Sequence, residues 1–153
     1  KLLQVACSAP SAKNQQPWTF VIVTVPATLQ ALSMCGPWCA HLAGAAFAVV
    51  LVVDDLHQPP TLTTPFDLGR TSQNMILAAW DLGIGSCMAT IYDQDYARTV
   101  LHIPEDRDVP WAISFGYPHP EADPRQRPPR AQGRRSLDEL IMWEAWEVPP
   151  DRT

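Results

Sequence analysis

Apolar residues along the chain fall into helical and strand-like periods. Leu2, Leu3, Ala6 and Cys7 share helical spacing, so Leu2–Ala9 is expected to be a helix. Pro10 stops it, because the residue before a proline is pushed out of the α region. Trp18–Val25 and Phe47–Val53 are rich in β-branched and aromatic residues and read as buried strands. The second is apolar on both faces, hence central in a sheet covered on both sides. Between them Pro26 can open a helix over Ala27–Met34, and Gly36–His41 reads as a turn.

The longest helical pattern is Phe66–Leu82, with Leu68, Met75, Ile76, Ala79 and Leu82 apolar and Ala78 and Trp80 beside them. Such a helix is expected to be buried against more than one neighbour, and Gly83 and Gly85 end it in a left-handed cap. Ser86–Ile91 and Val109–Phe115 read as strands, and Asp93–Leu101 as a helix capped by Asp93. Ser136–Ile141 reads as a short helix opened by the capping box Ser136-x-x-Glu139. Asp54–Pro65 and Tyr117–Gln132 are proline-rich connections without periodicity. Helices and strands mix without strict βαβ alternation, which predicts an α+β (α/β sandwich) fold.

Composition narrows the function. At 153 residues the chain suits one domain, residues 1–153. A net charge of −5 with only Lys1 and Lys13 as lysines gives no basic face for nucleic acid. The arginines gather between Arg125 and Arg135, a pattern suited to one bound anion. Ala43–Val53 is about half the ~20 apolar residues a membrane span needs, and no signal peptide is visible, so no membrane partner is expected and the default location is cytoplasmic. The helical spacing starts at Lys1 without an initiator Met, so an upstream N-terminal helix is expected to be missing from this domain.

Candidate chemistry is sparse. No GxGxxG, Walker or nucleophile-elbow sequence occurs. His41, His57, His102 and His119 lack ligand spacing, and Cys35-x3-Cys39 has no second pair, so no metal is expected and the cysteines read as buried or neutral thiols. Ser11 and Asn14 offer a hydroxyl and an amide that could read the edge of a planar heterocycle, or form no more than a polar turn after a helix stop. Arg134 and Arg135 precede a helix start, where fixed cations and the positive end of the dipole suit an anion; a solvated charge pair is the equal alternative.

Four blocks together resemble the FMN-dependent nitroreductase family. Ala9-Pro10-Ser11-Ala12-Lys13-Asn14-Gln15-Gln16-Pro17-Trp18 resembles its APSxxNxQPW segment. Asp67-x-Gly69 with Gln73-Asn74-Met75, running into Leu82-Gly83-Ile84-Gly85-Ser86-Cys87, resembles its second block. Gly116-Tyr117-Pro118 and then Arg134–Leu140 with Trp143 and Trp146 follow in the family's order. The resemblance implies a mixed, mainly antiparallel sheet flanked by helices in an intertwined homodimer. FMN would lie at the interface, with Pro10, Ser11 and Asn14 of one chain against a flavin lodged mainly in the other. Arg134 and Arg135 would sit near its phosphate, and the backbone of Ala89, Thr90 and Ile91 beside its reactive N5. Many members have Glu-Gly or Gly-Gly where this chain has Thr90-Ile91, so Ile91 is expected to narrow the approach to the ring.

The activity so implied is ping-pong hydride transfer from NADH or NADPH through the flavin to a small-molecule electron acceptor, a nitroaromatic or a quinone. No catalytic side chain is then required, because the flavin carries the chemistry. A flavin-sequestering protein, or a specialised flavin enzyme of the same fold, is the alternative.

Overall fold

The computed structural model describes residues 1–54, 62–122 and 133–146, which form two compact units, Lys1–Pro118 and His119–Thr153. In the first unit the order is α1 (Leu2–Cys7), β1 (Thr19–Val23), α2 (Pro26–Leu32), β2 (Phe47–Asp54), α3 (Thr63–Asp81), β3 (Gly85–Thr90), α4 (Gln94–Leu101) and β4 (Arg107–Gly116). Parts of the Asp54–Pro65 and Tyr117–Gln132 connections lie outside the described residues.

The four strands form one sheet of order β1-β2-β4-β3, and every pairing is antiparallel. β2 is central as expected, and its alternation divides the core. Ala48 and Val50 face one cluster with Leu29, Leu32, Leu42 and Ala112. Val49, Leu51 and Val53 face the other with Leu68, Met75, Ile113 and Phe115. Burying these side chains at roughly 1.5–3 kcal/mol each is what holds the helices to the two faces.

β1 departs from expectation. It is shorter than Trp18–Val25 and forms an edge strand, so only Val23 is buried and Ile22 is exposed. An apolar run alone cannot distinguish a central strand from an edge strand whose side chains lie against neighbours on both faces.

α3 begins three residues before the expected Phe66, because Pro65 falls in the first turn, where an amide N–H has no helical partner to lose. Of the two glycines expected to end it, Gly83 does so: it has φ +72°, and Gly83 and Ile84 donate back to Trp80 and Ala79 at 3.0 and 2.9 Å, while Gly85 already opens β3. As expected it packs against more than one neighbour, α1 and the sheet, though on one side only. Leu68, Thr71, Met75 and Ala79 are buried, but Phe66 and Leu77 on the other side are 66% and 58% exposed. α1 is tied to the buried side, with the Thr71 hydroxyl donating to Ala6 O at 2.8 Å and the Asn74 amide to Val5 O at 3.4 Å. α4 has the predicted cap, since Asp93 Oδ1 accepts from Tyr96 N–H at 2.9 Å.

The second unit, taken by itself, has a short 3-10 turn at Pro120–Ala122 and one helical turn, α5 (Leu137–Leu140). The Ser136 capping box does not form. Ser136 occupies the N-cap position without a side-chain cap bond: the Glu139 N–H that its hydroxyl would accept from donates to Ser136 O at 3.2 Å, and the Glu139 carboxylate accepts from Arg135 Nε at 3.3 Å.

Candidate functional site

The loop after α1 is built under strain and held by its neighbours. Lys13, Asn14 and Gln16 all have positive φ (51°, 56° and 50°), which asparagine tolerates and the other two do at a cost. Four contacts hold the loop. Asn14 and Gln15 N–H donate to Ser11 and Ala12 O at 3.0 Å each, and Gln16 N–H donates to Ser11 Oγ at 2.9 Å. Ala12 N–H donates to Asp67 Oδ2 at 2.8 Å. Asp67 is 3% exposed, a carboxylate on the buried side of α3, with Arg70 at 3.7 Å from its other oxygen. Strain of this kind persists only where the surroundings over-determine it, and it gathers at functional sites. Ser11 Oγ accepts internally and so keeps its hydroxyl proton to give, and Asn14 and Pro10 are exposed on the loop.

The other candidate edge is β3. Ile91 N–H donates to Pro110 O in β4 at 3.0 Å, so residue 91 turns its backbone groups toward β4. In an antiparallel pair these directions alternate, and the register carries Thr90 opposite Trp111 and Met88 opposite Ile113. The N–H groups of Met88 and Thr90 therefore point away from β4 to the open edge, while those of Ala89 and Ile91 point inward. Of the three backbone positions expected at this edge, only Thr90 turns its N–H outward. The Ile91 side chain is 3% exposed and packs with Ala89, Ala97 and Val109, so it does not crowd the edge as its β-branch suggested.

Pro10, Ser11 and Asn14 lead into β1, and Thr90 ends β3. These strands are the two margins of the sheet, three interstrand spacings or about 14 Å apart. Arg134 and Arg135 belong to the second unit. Arg135 also donates to Glu139 O at 2.7 Å, so its guanidinium is already engaged, and Arg134 is exposed. α5 is only one turn long, which leaves little dipole to add to an anion site.

The cysteines divide. Cys7 and Cys87 are exposed; Cys35 and Cys39 are fully buried free thiols. Burial, then Cys39 and Asp93 nearby, pushes the Cys35 thiol up from 9.0 to about 11, and burial pushes Cys39 up as well. Both are neutral near pH 7. Among the described residues no cluster of three or more His, Cys, Asp or Glu could hold a metal, and no helix is long and apolar enough to cross a membrane.

Sequence reasoning gave Asp67 no role of its own. The signal was present: an acid at helical spacing with Leu68, Thr71 and Met75 lies on the buried face, where a carboxylate needs a partner.

An antiparallel sheet packed on helices, with a strained polar loop before one edge strand and outward amides on the other, defines an α+β protein. The profile of the Nitroreductase family matches residues 30–117. A protein of Archaeoglobus fulgidus, provisionally described as an NADH dehydrogenase/NAD(P)H nitroreductase, is 34% identical over 132 residues, covering 80% of this chain and 74% of its own. The crystal structure of a Bacteroides thetaiotaomicron protein with the same provisional description superposes with a TM-score of 0.78 at 26% identity, covering 95% of this chain and 82% of that one. An FMN-dependent nitroreductase of Clostridium difficile shares the fold, with a TM-score of 0.76 at 24% identity over 95% of this chain and 85% of its own. The chain belongs to the nitroreductase family and is an oxidoreductase.

Proposed function

We propose that this protein is an FMN-dependent NAD(P)H oxidoreductase that reduces electron-poor small molecules, nitroaromatics or quinones, by a ping-pong cycle. The observation that carries this reading is the outward N–H of Thr90 on the open edge of β3. Bound FMN supplies a centre that accepts hydride from the nicotinamide and returns it to the second substrate. A fixed backbone dipole suits the electron-rich edge of such a ring, and it needs no reorganisation when charge arrives. The Ser11 hydroxyl and Asn14 amide fit the donor and acceptor atoms along the ring's polar margin. Arg134 and Arg135 are the candidate partners of the phosphate, and of the two Arg135 is engaged by Glu139.

The working form is a homodimer. The Ser11–Asn14 loop leads into one edge strand and Thr90 ends the other, and in a dimer two chains can supply one margin each to a single ring. The exposed Phe66 and Leu77 on α3, with Leu62 91% exposed just before it, give the apolar surface for that contact.

Purified protein tests this directly. A yellow dimer, bleached by NADH or NADPH under argon and recoloured by a quinone, is the expected result. A colourless protein that takes up no FMN, with any upstream segment of its reading frame included, rules the proposal out.

A further inference from the structure

The two buried cysteines and the glycine between them have no part in the site described above, yet they converge on the residue that carries it. Cys39 Sγ donates to Thr90 O at 3.3 Å. Cys35 O accepts from both Tyr92 N–H and Asp93 N–H, at 2.8 and 2.9 Å. The turn joining them lies so close to β3 that a Cβ on Gly36 would stand 2.8 Å from Tyr92 Cδ2 and 3.2 Å from Thr90 O. A side chain there would force Tyr92 to shift and press on Thr90 O, so glycine suits the close approach.

An edge residue has neighbouring backbone on one side only, and its outward groups are free to swing. Here the outward carbonyl of Thr90 is taken by a thiol, and the peptide that follows is anchored on its inner side by Ile91 N–H to Pro110 O. The 90–91 peptide plane is thus gripped from both sides, which fixes the strand direction at Thr90. The outward N–H of Thr90 is left as the group a ligand meets. The thiol must be protonated to donate, and burial, which raises its pKa, keeps it so.

We propose that the Cys35–Cys39 turn is a clamp that holds the Thr90 amide in place for the flavin, with Cys39 as a positioning residue and Gly36 as the position that permits its approach. This rests on the FMN reading above.

The test uses Cys39→Ala, which removes the donor, and Cys39→Ser, which restores one. Amide hydrogen exchange of the flavin-free protein reads the clamp itself. In Cys39→Ala, exchange at Ile91 to Asp93 is expected to quicken about three- to tenfold, with the amides of β2 unchanged, and Cys39→Ser is expected to return toward wild type. FMN affinity, read by quenching of flavin fluorescence, is expected to fall about fivefold in Cys39→Ala and to recover in Cys39→Ser. Unchanged exchange at residues 91–93 in Cys39→Ala overturns the clamp. So does uniform acceleration through β2 and β4, which would make Cys39 a core residue only. Wild-type protein that binds no FMN removes the functional reading, and with it the purpose of the clamp. Exchange that responds while FMN affinity does not overturns the positioning role alone.

Discussion

The carboxylate of Asp67, buried in α3, accepts the backbone N–H of Ala12 at 2.8 Å. That bond joins the long helix to the strained loop that carries Ser11 and Asn14. Replacing Asp67 by Ala leaves the Ala12 amide without its partner and releases the loop. A loss of about 2 kcal/mol in stability is expected from a charge-assisted bond of this kind. FMN retention should fall with it. Asp67→Asn keeps an acceptor and should lose less. Thermal melts with FMN titration of the two variants check this, and equal behaviour of Asn and Ala would show that the bond is not what matters.

Asn14 separates ligand contact from loop conformation. At φ 56° an alanine would add backbone strain, so Asn14→Gly is the cleaner variant. It should leave stability the same within about 0.5 kcal/mol and weaken FMN retention by several-fold. Retention equal to wild type in equilibrium dialysis would remove Asn14 from the site.

Leu77 tests the dimer. It is 58% exposed in the single chain, so a charge there costs little to a monomer but would be buried in the proposed dimer contact on α3. Leu77→Glu should sediment as a folded monomer and lose bound FMN. A variant that remains dimeric at micromolar concentration would place the interface elsewhere.

Ile91 distinguishes the two views of the β3 edge. Its side chain packs in the core, so Ile91→Val should cost about 1 kcal/mol in stability and leave the bound flavin's absorption spectrum unchanged. A shifted spectrum would mean that the side chain does reach the ring.

Cys35 gives a pH signature. Its pKa is raised on folding, from 9.0 to about 11, so the folded state holds the proton more tightly than the unfolded chain. The sign follows: the stabilisation is intact below pH 9 and is lost as pH rises toward 11, a fall of up to about 2–3 kcal/mol. Urea unfolding across that range should show a shallower decline in Cys35→Ser, and identical slopes would refute the assignment.

Features set by local chemistry were legible in the sequence. The unbroken apolar run Phe47–Val53 marked the central strand, Asp93 the cap of α4, and Gly83 the stop of α3, because each depends on side chains and dihedrals a few residues apart. The Ala9–Trp18 and Asp67–Cys87 motifs pointed to the family for the same reason. What required the tertiary structure was direction and pairing. That Thr90 rather than Ala89 or Ile91 turns its amide outward follows from the register of β3 on β4, since a shift of one residue would reverse every backbone group. That Trp18–Val25 becomes an edge strand follows from the strand order, which an apolar run does not encode. Asp67 beneath Ala12 and Cys39 beneath Thr90 are pairings between residues more than 50 positions apart. Local propensity cannot specify such partners; only the closing of the fold brings them within reach.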